Sequence, residues 1–461
     1  MSRRPGRSLV MGLGSFGGGG GAARYLAEQG WRVLATDLRP ASQLEETLAE
    51  LADLDLELVL GEHRPADFDA VELVVVNPAV RPDHPLVERA RAAGARIASA
   101  VELFLETVHA RLFCVTGTQG KSSTAHLLAG LLEACGHRVH LGGNIGGSLL
   151  SGLDSIGPQD CCVLELSSYQ LEGLAHPRAL AEHVRHVEAV CITNVLADHL
   201  ERHGSPERYA AAKRRILDLV GPAGWALVPA GDARVRAWET RAKRLPFQVE
   251  ASHAETGGPE AGLFVREDEF RLDELVLGQV ADLRLPGAFQ RANALCALGL
   301  AHLAGVPAGD LAAALPHIGG LPHRLEELGR FAGRRVIDNG VSTTPDSTVS
   351  ALREVEPGTC VLLGGRHKRL PLEELVAMAR AREVVAITFG EARDELAAAL
   401  RAGGCRVESC DTLEQAVTLA FERTERGGSI LFSPACSSFD AYPNFRRRAE
   451  AFRALLPDRA P

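Results

Sequence analysis

An α/β protein of three domains, each built on a mostly parallel sheet, is the fold class this sequence predicts. Three observations carry that expectation. Short apolar runs alternate with helical stretches along most of the chain, the pattern of strand–helix–strand units whose strands lie parallel. Nearly every run ends in glycine or a polar residue, among them Asp37, Asn77, Glu165, Asn194 and Asp338, as expected where ligands gather at the carboxyl ends of a parallel sheet. A length of 461 residues also exceeds what one core can serve and suggests about three domains. The expected divisions are 1–108, a Rossmann-like N-terminal domain; 109–318, a central P-loop-type α/β domain; and 319–461, a C-terminal Rossmann-like α/β domain.

The first domain opens with the strand Ser8–Met11, and Gly12 to Gly17 then complete G-x-G-x-x-G. A helix is expected from about Ala22 to Gln29, because the run Gly17 to Gly21 specifies a helix start poorly. The second strand, Arg32–Thr36, ends in Asp37, about twenty residues past the glycines, where such a unit bonds a ribose or another polar ligand group. That fingerprint alone fits a nicotinamide dehydrogenase, a uridine-nucleotide binder or a domain with no ligand there. A third strand, Glu72–Val76, runs into Asn77 and Pro78 at the same crevice.

The central domain carries the most informative segment. Leu112 to Val115 reads as a strand, and Leu127, Leu128 and Leu131 mark a helix. Between them runs Thr116-Gly117-Thr118-Gln119-Gly120-Lys121-Ser122-Ser123. Glycines at 117 and 120 let the backbone curl until its amides point at phosphate oxygens. Lys121 supplies a point charge for the outer phosphates, and the Ser122 hydroxyl can reach a magnesium ion. The loop is shorter than a standard Walker A, since Val115 stands where the first glycine belongs. Lysine scarcity strengthens the reading: of 50 lysines and arginines, only residues 121, 213, 243 and 368 are lysine. Where arginine is written almost everywhere, lysine is kept where a compact amine is needed.

Three further constellations follow. Glu165 ends an apolar strand and is either a magnesium ligand beside Ser122 or a helix-capping acid. His199 is either a metal ligand oriented by Asp198 or an ordinary surface or core histidine. Lys213 precedes Arg214 and Arg215, so a mere need for charge would be met by arginine; a surface lysine is the alternative. Residues 224–285 alternate like β-hairpins. In the third domain, strands lead into Asp338, Gly364, Gly390 and Ser433.

Composition excludes several classes. A net charge of −9 leaves no electrostatic footprint for nucleic acid. The cluster Arg446-Arg447-Arg448 reads as a solvated helix face. No apolar run reaches the roughly 18 residues of a membrane span. The arginines at 3, 4 and 7 precede a glycine-rich stretch without a signal-peptide core, which reads as strand and loop. Ten cysteines without a C-x-x-C pair argue against disulfides or a cysteine zinc site and fit small buried hydrophobes in a reducing cytoplasm.

Taken together, the segments Thr116–Ser122, Gly142-Gly143-Asn144-Ile145-Gly146, Glu165–Glu172, Asp198-His199, Ala211-Ala212-Lys213, Gly320–Arg324 and Ser433–Ser438 resemble the Mur ligase superfamily, in its MurD-type branch, over essentially the whole chain. The resemblance implies a cytoplasmic peptidoglycan-precursor ligase using ATP and two Mg2+ ions. Its partners would be UDP-N-acetylmuramoyl-L-alanine and glutamate, joined through an acyl phosphate. It further implies that Ser15, Phe16, Asp37 and Arg39 surround the uridine nucleotide and that Asn144 contacts the same substrate. Gly117, Thr118, Gln119, Gly120, Lys121, Ser122, Ser123, Asn293, Arg324 and Asp338 would hold ATP. Ser122, Glu165, His199 and Lys213 would serve the metals, Lys213 as a carbamylated lysine, and Ser342, Lys368, Ser438 and Phe445 would grip glutamate.

Two departures from the family stand out. Where the D-glutamate enzymes continue a strand-end aspartate with Ser-Lys-Ala-Thr-Asn, this chain continues Asp338 with Asn339-Gly340-Val341-Ser342-Thr343. Gly340 then takes the lysine's place and Ser342 the threonine's, in a loop one residue longer. The expectation drawn from this is L-glutamate specificity, with a downstream epimerase and with D-glutamate as the alternative. The second departure is Phe289, where the family has histidine before asparagine; Gln290 and Asn293 remain to meet adenine. The enzyme rivals are a folylpolyglutamate synthase-like ligase, which lacks the N-terminal domain, and an NAD-dependent dehydrogenase, which leaves Lys121, Glu165 and Lys213 without purpose. A non-catalytic nucleotide binder fits the complete phosphate and metal set less well.

Overall fold

The computed structural model describes residues 6–14, 18–145, 147–174, 187–196, 198–249, 262–285, 288–368 and 370–457. One compact unit runs to Arg284 and takes in Ala288–Gly319; the second begins at Gly320. The first unit contains two sheets and the second unit one.

The N-terminal sheet consists of β1 (Arg7–Met11), β2 (Arg32–Asp37), β3 (Glu57–Leu60), β4 (Leu73–Val76) and β5 (Arg96–Ala98) in the order β3-β2-β1-β4-β5, all parallel. Its central strands are apolar on both faces: Val10 joins one buried cluster, Leu9 and Met11 another. Parallel sheets covered by helices on both sides need continuous hydrophobic strands of this kind. The order reverses between β1 and β4, so the crevice opens at their carboxyl ends.

The first helix, Gly18–Glu28, begins inside the glycine run, earlier than its helix propensity suggests. Tertiary packing is the reason. A Cβ on Gly19 would drive into the carbonyl oxygens of Gly12 and Leu13, and one on Gly21 would lie 2.7 Å from Ser148 Cβ. The glycines bring this helix onto the turn that precedes it and onto the residues before the helical turn Leu150–Ser155. Gly19→Ala is therefore expected to destabilise the protein by about 3 kcal/mol, read as a lower denaturation midpoint at unchanged m-value.

The second sheet comprises β6 (Arg111–Thr116), β7 (Val139–Gly143), β8 (Cys161–Glu165), β9 (Val187–Ile192), β10 (Trp225–Pro229), β11 (Lys243–Gln248), β12 (Leu263–Arg266), β13 (Glu269–Leu272) and β14 (Leu275–Gln279), in the order β14-β13-β12-β11-β10-β9-β6-β8-β7. The hairpin expectation for 224–285 holds only for the antiparallel meander β12-β13-β14. β10 and β11 are parallel, connected through the helix Ala233–Ala237. The alternation of a half-covered strand at a sheet edge looks the same whether its neighbour runs up or down. Helices Lys121–Ala134 and Ala288–Leu303 pack side by side on this sheet.

The second unit arranges β15 (Glu326–Phe331), β16 (Arg334–Asp338), β17 (Cys360–Gly364), β18 (Val385–Phe389), β19 (Arg406–Ser409) and β20 (Ser429–Ala435) as β15-β16-β20-β17-β18-β19, parallel except for the edge pair β15-β16. Among the described residues no helix is long and apolar enough to cross a membrane. All ten cysteines are free.

Candidate active site

β6 ends at Thr116, level with Ile192 on β9, and the preceding Val115 is level with Glu165 on β8, so the loops that follow these strands meet at one sheet edge. Gly117 and Gly120 have φ of 154° and 81°, the second as N-cap of the helix Lys121–Ala134. Side chains are excluded at both, because a Cβ would strike the Thr193 hydroxyl at one and the Asn293 side chain at the other. The loop is clasped from the β9 side. Thr118 N–H donates to Asn194 O (3.0 Å), Gln119 N–H to Asn194 Oδ1 (2.9 Å), and Thr193 Oγ1 to Gln119 O (2.5 Å). Lys121 Nζ donates to Thr118 O (3.0 Å), folding the ammonium back over the loop. Ser122 is part-buried and Ser123 buried at the first helical turn. Thr193 and Asn194 are functional neighbours that the sequence marked only as a strand end.

Asn293 is buried against Gly120 and accepts from Thr124 Oγ1 at 3.4 Å, while its amide donates to Gln290 Oε1 (2.9 Å). Gln290 is equally enclosed, and Phe289 is half-exposed. Both polar residues named for adenine thus brace the loop and each other.

Glu165 is 1% exposed. Asn144 holds it twice: its backbone N–H donates to Glu165 O (2.8 Å) and its Nδ2 to Glu165 Oε1 (3.0 Å). This close approach requires Gly143, with φ 94°, since a Cβ there would collide with the Glu165 carbonyl. Asn144, expected to touch substrate, therefore orients the carboxylate. The other oxygen, Oε2, is buried with no hydrogen-bond partner among the described residues. An orphaned carboxylate oxygen is costly to bury and is what a hard divalent cation satisfies, so the donor set of Glu165 with the Ser122 hydroxyl fits magnesium.

Lys213 is fully buried, on the helix Pro206–Arg214. Its Nζ donates to Gly117 O (2.6 Å) and lies 4.7 Å from the centre of the Tyr209 ring. Burial first, and then the neighbouring Lys121 charge, push its pKa down to about 7 against the pull of Asp198 and Glu165. This is a lysine whose neutral amine is well populated near neutrality.

His199, with φ 49°, is half-exposed; its Nε2 is 3.6 Å from Asp198 Oδ2 and its Nδ1 3.4 Å from the Tyr169 hydroxyl. An aromatic cluster unforeseen in the sequence ties this region together. The Tyr209 hydroxyl donates to Thr118 Oγ1 (3.1 Å), and the buried His203 ring sits 5.6 Å from Tyr169 and 5.4 Å from Tyr209, with Nε2 3.1 Å from Ser168 Oγ. Tyr209 lies one helical turn before Lys213, and that i, i+4 spacing was the available signal.

In the N-terminal crevice, Asp37 accepts from Gly14 N–H (3.2 Å), from Arg39 N–H (2.9 Å) and from the Arg39 guanidinium (3.1 and 3.0 Å). Burial alone would raise its pKa, but the Arg39 and Gly14 hydrogen bonds outweigh it and hold the carboxyl below its ordinary value. Asp37 thus fixes the glycine turn and presents Arg39, which is one-third exposed, to the crevice. Ser15 and Phe16 lie outside the described residues.

The second unit corrects several expectations. Asp338 is 0% exposed and spoken for: His323 Nδ1 (2.7 Å) and Arg453 Nε (2.7 Å) lie on Oδ2, and Gly340 N–H donates to Oδ1 (2.8 Å). It anchors the Gly320–Arg324 segment from inside through His323. His323, Glu326 and Asp338 are close enough to suggest a cation site, but Arg453 already pairs with both carboxylates. Ser342 is also fully buried, its hydroxyl 2.6 Å from Ser347 Oγ and 2.7 Å from Thr348 Oγ1, so it serves loop structure and not glutamate. Ser438 is 2% exposed and opens a turn, its carbonyl accepting from Tyr442 N–H (2.8 Å). Lys368 is exposed with Nζ donating to Thr343 Oγ1 (3.2 Å), Phe445 is part-buried at the start of the helix Phe445–Ala454, and Arg324 is part-exposed.

Gly340 does not mark a lost cation. A Cβ there would lie 2.6 Å from Ala449 Cβ and 3.1 Å from the Phe432 ring, so the position faces packed core with no room for any side chain. Arg448 is likewise not solvated with its neighbours. It is fully buried and donates to Gly364 O (3.1 Å), Ser437 O (3.1 Å) and Cys436 O (2.9 Å), stitching the loops after β17 and β20. Burial lowers its pKa to about 10, which still leaves it charged.

Three α/β domains and a phosphate loop beside a buried orphan carboxylate define an ATP-dependent ligase of the Mur type, and the comparisons agree. The Mur ligase MurD-like N-terminal domain matches residues 6–99, the Mur ligase middle domain 115–301, and the Mur ligase glutamate ligase domain 323–436. Among solved structures, UDP-N-acetylmuramate-alanine ligase MurC from Thermotoga maritima shares the fold with a TM-score of 0.61 at 20% identity, covering 97% of this chain and 98% of that one. The chain belongs to the Mur ligase family, in its MurD-type, peptidoglycan-synthesis branch. Relatives named UDP-N-acetylmuramoylalanine–D-glutamate ligase include those of Roseiflexus sp. (strain RS-1), 35% identical over 98% of each chain, and Myxococcus xanthus (strain DK1622), 36% identical over 97% of each.

Proposed function

We propose that the protein joins D-glutamate to UDP-N-acetylmuramoyl-L-alanine, with conversion of ATP to ADP and phosphate. The observation that carries this reading is the full-length similarity to relatives named for D-glutamate. The L-glutamate reading had rested on Gly340, Ser342 and a lengthened loop; with Gly340 sealed against Ala449 and Ser342 inside a hydroxyl network, neither residue argues for the L form. No later epimerase is then required.

The N-terminal domain would take the UDP-sugar at Asp37 and Arg39, the central domain ATP, and the C-terminal domain glutamate near Lys368. In the first step an oxygen of the alanyl carboxylate attacks the terminal phosphorus of ATP, and the bond to ADP breaks. The amine of glutamate, having lost its ammonium proton, then attacks the acyl carbon, and phosphate leaves. Lys121 and the loop amides offset charge on the phosphoryl oxygens. Ser122, Glu165 and His199 would hold magnesium, which supplies Lewis-acid stabilisation of that charge when bound. Lys213, carbamylated at Nζ, would add a further anionic ligand.

The test compares kcat/KM for the two glutamate enantiomers. D-glutamate is expected to be favoured by about a hundredfold or more, as befits a site that fixes a substrate by paired polar contacts. An L preference overturns the reading.

A further inference from the structure

We infer that His367 is a positioning residue for the acceptor amino acid: clamped to Glu395, it holds the loop that presents Lys368. This rests on the proposed binding of glutamate at Lys368. The His367 side chain is 6% exposed, and its Nδ1 lies 2.8 Å from Glu395 Oε1 on the helix Arg393–Ala402. A carboxylate only accepts, so Nδ1 carries the proton. Nε2 is buried with no hydrogen-bond partner among the described residues. An apolar side chain would fill the same space without burying a bare ring nitrogen, so the reason for histidine here lies in what Nδ1 does.

The rest of the loop explains why that bond matters. Upstream it is braced from two sides. Arg366 N–H donates to Ser437 O (2.9 Å), Ser437 N–H returns to Arg366 O (3.0 Å), Ala392 N–H donates to Gly365 O (2.8 Å), and Arg448 holds Gly364 O. This bracing ends at Arg366. Lys368, two residues on, is exposed and reaches Thr343 Oγ1 on the loop after β16. The Arg366 guanidinium pairs with Glu391 (2.9 Å), and His367, next along, ties the backbone to the helix Arg393–Ala402 just before the lysine. A clamp of this kind keeps the ammonium aimed at a carboxylate that has yet to arrive, so its loss weakens capture of glutamate and spares the chemistry on ATP.

The experiment measures KM for glutamate at saturating ATP and UDP-N-acetylmuramoyl-L-alanine. His367→Ala and Glu395→Ala are each expected to raise it about tenfold, with kcat and the KM for ATP within about twofold, and the double variant no worse than either alone. His367→Asn, whose amide still donates to Glu395, recovers most of the loss. Glu395 is more than half exposed, so its variant retains the fold even if His367→Ala does not. Unchanged glutamate KM in Glu395→Ala overturns the clamp, as does a parallel rise in the KM for ATP or failure of asparagine to rescue. Wild-type enzyme is assayed first: no turnover with either enantiomer rejects the functional reading, whereas turnover with an unmoved KM rejects the clamp alone.

Discussion

Lys213→Arg is expected to lower ligation about a thousandfold, the scale of losing a principal stabiliser of transition-state charge, while ATP still binds. Arginine keeps the positive charge and much of the length, but it has no neutral primary amine to react with carbon dioxide. The wild-type environment supports that reaction: burial and the Lys121 charge bring the Lys213 pKa down to about 7. Below that pH the amine is protonated and carbamate formation falls, so activity should decline on the acid side and recover partly with added bicarbonate. The linkage to stability has a definite sign. The unfolded chain binds this proton more tightly, so the buried ammonium destabilises the fold fully below pH 7, and the penalty fades as pH rises toward 10.5. Lys213→Met should therefore be inactive yet gain thermal stability over wild type, more at pH 6 than at pH 9. Full activity in the arginine variant would discard the carbamate.

Glu165→Gln is the second large effect. Glutamine can still accept from Asn144 Nδ2 through its carbonyl oxygen, so the bond seen at Oε1 survives and the frame is kept. What changes is the orphaned position, where an amide donor replaces a bare anionic oxygen. The magnesium concentration for half-maximal rate should rise at least tenfold, and kcat/KM for ATP should fall by about three orders of magnitude. A titration of rate against magnesium distinguishes the roles. If the magnesium requirement does not move, the metal role of Glu165 is discarded, because Ser167 already caps the following helix.

How much of this was legible in the sequence depends on how local the cause is. Gly117, Gly120 and Lys121 act within one strand–turn–helix, so spacing revealed them. The pairing of Asn144 with Glu165 and the clasp of Gln119 by Thr193 and Asn194 join neighbouring strand ends that are far apart in the chain. The sequence contains those residues but not their contact. Gly340 and Ser342 were misread for the converse reason. A loop sequence does not tell which of its positions face the core, and one lies against Ala449 and the other inside a hydroxyl network.

Alone, the sequence determined the α/β class, the phosphate loop and the scarcity of lysine that singles out Lys121, Lys213 and Lys368, because periodicity, backbone freedom and side-chain chemistry are written residue by residue. Burial belongs to the tertiary structure alone. It turns Lys213 into a lysine that ionises near neutrality, leaves one oxygen of Glu165 without a partner, encloses Asp338, and takes Arg448 out of its exposed run. The physical reason is that desolvation depends on everything packed around a group, and most of that comes from elsewhere in the chain.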